Sequence, residues 1–481
     1  MVVEISGNDF RTRASKLSRY LSRSVKKGMK LRIRGRMSGV LSVSFALAAI
    51  VAGGLGAPAR AQDWVQTGTN LGVQHIRIAV ADFKPGTTDP QTFNLKGIFD
   101  QTLYSDLSNA GVFNMVSKSM APPVMPGSPQ EIQLAQWAAA PANAQMVVFG
   151  SFGVAGGQIN VQGYLFDTGN QQSPQVLGKQ FTDTANKEDA RQIAHRFADE
   201  IILRLTGING IAESKIYYVV GHGMHKEIWV MDYDGHDKHQ VTHLGTDSMA
   251  PAASPDGSKL AFESFGKYGM EIRVYSVKTH RYVYFHEARG QGWSPAWAPN
   301  GQQLAYSLSA NGNPDIFTCN ANGTGLKRLT AFLGPNTQPV WNPKTGTQIA
   351  WVSGMTKLPQ IYIMDSDGSN VSRMTDGGYA VSPSWSPNGQ FLSFAWDRQY
   401  GPGAPGGEDI YIMEIASRRW EQLTHGDGIN DFPSWSPDGR HIVFQRTSGG
   451  RTNIWTMLAD GSNQQPLTHN GDSSMPDWSS K

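Results

Sequence analysis

Ser382-Pro383-Ser384-Trp385-Ser386-Pro387-Asn388-Gly389 carries the pattern that decides the fold, because its Pro-x-Trp core recurs. Equivalent prolines stand at Pro251, Pro295, Pro339, Pro383, Pro433 and Pro476, spaced by 44, 44, 44, 50 and 43 residues. Two residues after each comes Ala253, Trp297, Trp341, Trp385, Trp435 or Trp478. Periods in this range belong to propellers or solenoids. Pro presets φ and Gly supplies positive φ. Ser254-Pro255-Asp256-Gly257, Ala298-Pro299-Asn300-Gly301, Ser436-Pro437-Asp438-Gly439 and the looser Asn342-Pro343-Lys344-Thr345-Gly346 are therefore reversals between strands.

Each reversal leads into a short apolar strand, such as Leu260-Ala261-Phe262 or Ile442-Val443-Phe444. A second strand follows, such as Ile361-Tyr362-Ile363-Met364, and then a turn such as Asp234-Gly235 or Asn322-Gly323. A fourth element carries Leu329-Thr330, Met374-Thr375, Leu423-Thr424 or Leu467-Thr468. Four strands joined by short turns make a propeller blade. No 3.6-residue periodicity favours a helical repeat here. The first three-strand set, Ile216 to His243, precedes any Pro-x-Trp strand, and almost nothing follows the last, Met475 to Ser479. These leftovers are expected to complete one blade, since an open array would leave both with unpaired edges.

The expected fold is thus an α/β N-terminal domain plus an all-β six-bladed propeller, its ring closed by the C-terminal strand. Residues 62–205 form the α/β domain, 206–212 a Gly-containing linker and 213–481 the propeller. Within the first domain, strands are expected at His75 to Val80, Val112 to Val116, Gln145 to Gly150, Ile159 to Phe166 and Val176 to Thr182. Helices are expected over Leu95 to Ala110, near Gln130 to Ala139, and over Lys187 to Leu205. The last places Ile193, Phe197, Ile201 and Leu205 on one face.

Charge is unevenly placed. Residues 1–61 carry a net +10, leaving −7 on residues 62–481. The remainder has no electrostatic case for nucleic acid. A basic stretch (Lys26, Lys27, Lys30, Arg32, Arg34, Arg36), an apolar run from Val40 to Leu55 and Ala59-Arg60-Ala61 read as an export signal. Residues 1–61 are the expected signal peptide and Gln62 the mature N-terminus. Residues 1–28 lengthen the basic region unusually, so Met29 is an alternative start. The apolar run falls short of the roughly 20 residues a membrane span needs. The single cysteine, Cys319, precludes an intrachain disulfide and is expected to fill a buried apolar position.

No G-x-S-x-G elbow, Walker loop, H-E-x-x-H or C-x-x-C occurs, and neither a catalytic residue nor a cofactor is expected. Gly401, Gly403 and Gly406 spell a literal G-x-G-x-x-G, but two prolines interrupt it and a strand follows where the fingerprint needs a helix. It falls in the one repeat that is six residues too long, so an inserted loop tip explains it. His222, His225, His236, His239 and His243 resemble a metal cluster. The strand between the two groups separates them by roughly 17 Å, too far for one ion. Asp365-Ser366-Asp367-Gly368 and Asp232-Tyr233-Asp234-Gly235 lack the helices and sixth-position Gly of a calcium loop. They are expected to be hairpin turns, and no metal site is assigned.

The combination of export signal, α/β domain, Leu205-Thr206-Gly207-Ile208 linker and six repeats resembles the TolB family across essentially the whole mature chain. Ile216-Tyr217-Tyr218-Val219, Asp232-Tyr233-Asp234-Gly235, Asp106-Leu107 and Gly111-x-Phe113 strengthen the resemblance. It implies a non-enzymatic periplasmic adaptor of the Tol–Pal system, which links the inner membrane, peptidoglycan and outer membrane during cell division. The resemblance further implies that the propeller mouth binds the lipoprotein Pal, a contact that some bacteriocins copy. By position, Gln291 and Ser294 before Pro295, and Thr337 before Pro339, correspond to family contacts. Thr337 retains the family residue, whereas Gln291 and Ser294 depart from it. With Trp293 and Asn336 these make up the expected partner-binding rim. Trp293 and Tyr379 are candidate aromatic anchors, with packing between blades as their alternative role. The family's mature N-terminus can pair as a strand with TolA. Here Gln62 to Gln74 contains Gly68, Asn70 and Gly72 with little alternation, which makes a poor strand. Two other classes stay open: a solute- or glycan-binding propeller with stacked mouth aromatics, and the regulatory propeller of a hydrolase system.

Overall fold

The computed structural model describes Thr69 and residues 75–222, 225–267, 269–286, 288–310, 312–401 and 407–480. The expected signal over 1–61, nearly all of the 62–74 segment and the loop tip at 402–406 lie outside them. No helix among the described residues is long and apolar enough to cross a membrane.

The first domain runs β1 (Ile76–Val80), β2 (Lys84–Pro85), α1 (Pro90–Asn109), β3 (Phe113–Met115), α2 (Leu134–Ala138), β4 (Met146–Ala155), β5 (Gln158–Asp167), β6 (Gln175–Thr184) and α3 (Lys187–Thr206). The sheet order is β3-β1-β4-β5-β6, with β2 pairing β4. β1 is parallel to β3 and β4, while β5 is antiparallel to both its neighbours. α1 begins five residues before the expected Leu95. Asp89 accepts from the Gln91 N–H as N-cap and Pro90 fills the first turn, where its missing N–H costs nothing. α3 is capped by Asn186 at one end and by left-handed Gly207 (φ 74°) at the other. The two long helices cover one sheet face, burying Phe83, Phe99, Leu103, Phe152, Val161, Phe197 and Ile201. Trp137 of α2 closes the opposite face against Val147 and Phe149.

Six four-stranded antiparallel sheets follow. Their innermost strands are Ser248–Ala253 (blade one), Gln291–Trp297 (two), Asn336–Trp341 (three), Tyr379–Trp385 (four), Ile429–Trp435 (five) and Ser473–Ser479 (six). Blade six joins the chain's last strand to Lys215–His222, pairing Trp478 with Ile216 and Asp477 with Tyr217. The ring is closed by the C-terminal strand. The Trp297 and Trp385 indoles each donate to a carbonyl of the preceding blade, Ala252 O at 3.0 Å and Val340 O at 3.3 Å. These two tryptophans therefore tie their blades to the preceding ones.

The Leu-Thr element has an equally local cause. Thr330, Thr375, Thr424 and Thr468 each accept the N–H of an isoleucine two strands' turn away, Ile316, Ile361, Ile410 and Ile454, at 2.9 Å. Each hydroxyl then donates to the side chain just before that isoleucine: Asp315, Gln360, Asp409 or Asn453. A buried hydroxyl so used satisfies a strand end where the ladder runs out. Cys319 is buried as expected, and burial pushes its thiol up to about 12.

Candidate functional site

The innermost strands converge on a central neck, and each is broken at one place. Its register shifts just before the Pro-x-Trp. The residue preceding each proline is left-handed: Ala250, Ser294, Gln338, Ser382, Phe432 and Met475, with φ between 46° and 53°. None is glycine, so every blade bears local backbone strain of about 1–2 kcal/mol. Proline has no N–H to lose from the ladder, so the bulge falls where it forfeits least. The six left-handed residues and six prolines line a neck of about 140 Å³.

Side chains of adjacent blades lock this neck. Ser294 N–H donates to Glu263, Ser382 N–H to Gln338 and Met475 N–H to Gln445, at 2.9–3.1 Å. Asp477 accepts from Ala253 N–H at 2.7 Å, tying blade six to blade one. Burial raises the Asp477 carboxyl to about 7 and that of Asp431, near the same neck, to about 6. Asp477 is not sealed off from solvent, but packed channel walls surround it closely enough to disfavour its charge.

The expected rim residues lie at the open ends of two adjacent inner strands, and the structure separates their roles. Gln291 is exposed, and Trp293, Ser294 and Thr337 are half-buried. Asn336 is wholly buried and faces the seam between blades two and three. Its amide donates to Asp315 Oδ1 at 3.2 Å and accepts from Trp351 Nε1 and Ser353 Oγ. The expected contact role of Asn336 is corrected on this ground, since a fully hydrogen-bonded buried amide presents nothing to a partner. Asn430 of blade five repeats the arrangement with Asp409 and Arg446. Tyr379 is half-buried and packs on exposed Tyr400 with ring centres 5.4 Å apart.

The other end of the propeller is where the α/β domain attaches. Tyr233 of the Asp232–Gly235 turn donates to Asp106 Oδ1 at 2.6 Å, and His195 Nδ1 lies 2.8 Å from Asp106 Oδ2. His441, at the start of the second strand of blade five, meets Asn109 O at 2.7 Å. The mouth therefore opens on the face away from the first domain. His195, Asp232 and Asp234 each bring a potential metal ligand within 4.8 Å of one another, a cluster that sequence reasoning missed. Arg191 donates to Asp234, and Lys215 and Gln192 donate to Asp232. The carboxylates are thus already neutralised, and the cluster is an ion-paired joint. Exposed His236 pairs with Asp234 at 3.2 Å, while exposed His225 and His239 stand outside the cluster.

The comparisons agree with this architecture. The family model of the TolB amino-terminal domain matches residues 67–174, and that of the TolB beta propeller domain matches 202–403 and 378–481. A Protein TolB homolog of Chlorobium luteolum is 28% identical over 60% of the chain and 64% of its own length. A Tol-Pal system protein TolB of Desulfosudis oleivorans is 31% identical over 40% of the chain and 42% of its own. Each alignment spans less than two thirds of that relative. The crystal structure of TolB from Acinetobacter baumannii superposes with a TM-score of 0.69 at 24% identity, covering 85% of this chain and 97% of that one. With both domain models matched in the order that the fold displays, the chain belongs to the TolB family.

Proposed function

We propose that this protein is a non-enzymatic periplasmic adaptor of the Tol–Pal system. Its propeller mouth binds the lipoprotein Pal, and through Pal it associates with the outer membrane and supports envelope integrity and constriction during division. One observation carries this reading: six strained strand starts, four inter-blade hydrogen bonds among them, form a ring that opens on the face away from the first domain. A ring held by inter-blade hydrogen bonds presents its rim without paying ordering entropy on binding. Gln291, Trp293, Ser294 and Thr337 are the proposed contacts on blades two and three, with Asn336 holding its strand start in place beneath them. Pairing of the 62–74 segment with TolA is no part of this reading, since its sequence makes a poor strand. Calorimetric titration with the organism's own Pal tests the proposal, comparing a mouth substitution with one in the turns of the opposite face. Loss of binding confined to the mouth variant supports it; equal loss from both, or from neither, refutes it.

A further inference from the structure

We propose that the outer edge of blade one is a strand-addition site for an extended, acidic polypeptide segment of a partner protein, separate from the mouth. The fourth strand of each blade has one unpaired side, and such an edge templates pairing with another chain unless guarded. Five edges carry guards. Lys327–Arg328 is a pair of cations, Ser372–Arg373 ends in one, Gln465–Pro466 ends in proline and His239–Gln240 is polar. In Trp420–Gln422, the indole lies under the Arg398 guanidinium, 4.1 Å from the ring centre.

Blade one differs. Its edge strand Arg281–Val283 continues into Tyr284, and Tyr282, Val283 and Tyr284 are 45%, 39% and 79% exposed. Beyond them Phe285 turns inward, and His286 N–H donates to Asn322 O of blade two. The open edge is therefore 281–284, beside a groove of about 420 Å³ lined by Arg273, Tyr282, Tyr284 and His286 among others. An incoming strand would pair with this backbone while its alternate side chains meet tyrosine rings.

Charge selects the occupant. The chain beyond residue 61 is net negative, yet Arg281 lies in this edge strand, Lys278 in the turn before it and Arg273 on the groove wall. Glu271 on the neighbouring strand is buried and 3.7 Å from Arg273, and Glu227 of blade six approaches Tyr282. The basic surround favours an acidic strand. It disfavours a second copy of this chain, whose own edge would bring the same cations face to face.

The probe is a capped ten-residue peptide alternating Glu with Val and Tyr, alongside a version with Lys for Glu. Both are titrated into the full protein by fluorescence anisotropy, with amide hydrogen exchange followed over 281–284. The acidic peptide is expected to bind and protect those amides, and the basic one to bind at least about tenfold more weakly. V283K/Y284K, which copies the Lys327–Arg328 guard at exposed positions, is expected to lose about tenfold or more. K278E/R281E, which changes charge without altering Val283 or Tyr284, is expected to reverse the preference between the peptides. Equal binding of both peptides, protection elsewhere, or undiminished binding by V283K/Y284K overturns the proposal. So does self-association of the native protein that the same variant abolishes, which would assign the edge to a second copy.

Discussion

The Tyr233 hydroxyl donates to Asp106 Oδ1 at 2.6 Å across 127 residues of chain, and both side chains are buried. His195 takes the other Asp106 oxygen, and its far side approaches Asp234, which Arg191 neutralises. The two domains thus share one continuous polar network instead of a greasy seam. Removing one partner leaves a buried charge short of its bonds. Tyr233→Phe should cost about 1–3 kcal/mol, and Asp106→Ala about 3–5 kcal/mol, in denaturant unfolding. A neutral Tyr233→Phe would show that water replaces the hydroxyl.

The same joint should weaken as pH rises. Burial opposes a charged His195, but the Asp106 carboxylate, by charge and hydrogen bond, and Asp234 outweigh it and raise the pKa above 6.5. The folded state then holds the proton more tightly than the unfolded state. The stabilisation is full below pH 6.5 and is lost as pH climbs through the folded value. Melting temperatures recorded above pH 6.5 should fall more steeply for the native protein than for His195→Gln. Parallel curves would dissociate His195 from the joint's stability.

In the neck the linkage belongs to an acid. Burial raises Asp477 to about 7 despite the Ala253 N–H bond that favours its charge. A carboxyl whose folded pKa exceeds its unfolded one binds its proton more tightly when folded. Stability therefore declines as pH rises from about 4 to about 7. Asp477→Asn keeps an acceptor for Ala253 N–H and removes the charge. It should flatten that decline and leave the variant more stable than the native protein at pH 8, as thermal unfolding would register. A variant less stable at pH 8 would mean that the neck requires the anion.

The propeller was legible because its punctuation is chemical: Pro, Trp and Gly recur at fixed offsets, and the leftover strands predict their own pairing. The strained position was not, because Ala250, Ser294, Gln338, Ser382, Phe432 and Met475 share no side-chain property. Their conformation is imposed by the bulge and not by residue type. Asn336 misled for a related reason. Proximity to Pro339 places it at the mouth, but strand alternation turns it into the seam with blade two, where Asp315, Trp351 and Ser353 consume it. The joint involves Asp106, His195 and Tyr233, which are distant in sequence. The motifs around Asp106 and Tyr233 carried a family resemblance without revealing that they touch, and His195 lay in neither.

Closure can be tested by truncation. Ser473–Ser479 pairs with Lys215–His222, and the Trp478 indole donates to Ser214 Oγ at 2.8 Å. Deleting residues 474–481 exposes the inner edge of blade six and removes Asp477 from its bond to blade one. Because every blade leans on two neighbours, the whole propeller should melt at lower temperature in a single transition. A lone early transition, with the remainder unchanged, would indicate that blades unfold independently.

The final prediction concerns the mouth. Thr337 is half-buried on the inner strand of blade three, beside left-handed Gln338, whose side chain braces Ser382 of blade four. A substitution here therefore meets a wall that cannot yield easily. Thr337→Arg places a long cation in a rim where a partner would pack closely. Binding energy at such interfaces concentrates in a few central contacts. The expected loss of Pal affinity is about 3 kcal/mol, on the order of a hundredfold. Asp367 offers the matched control. It is exposed in the Asp365–Asn370 turn, at the far end of its blade, and its carboxylate accepts from Ser369. Asp367→Arg should leave Pal affinity within about twofold, since surface changes away from packed features rarely exceed about 0.5 kcal/mol. Circular dichroism melts of both variants separate misfolding from lost contact. If Thr337→Arg melts like the native protein and still binds Pal at full strength, the interface lies elsewhere on the propeller.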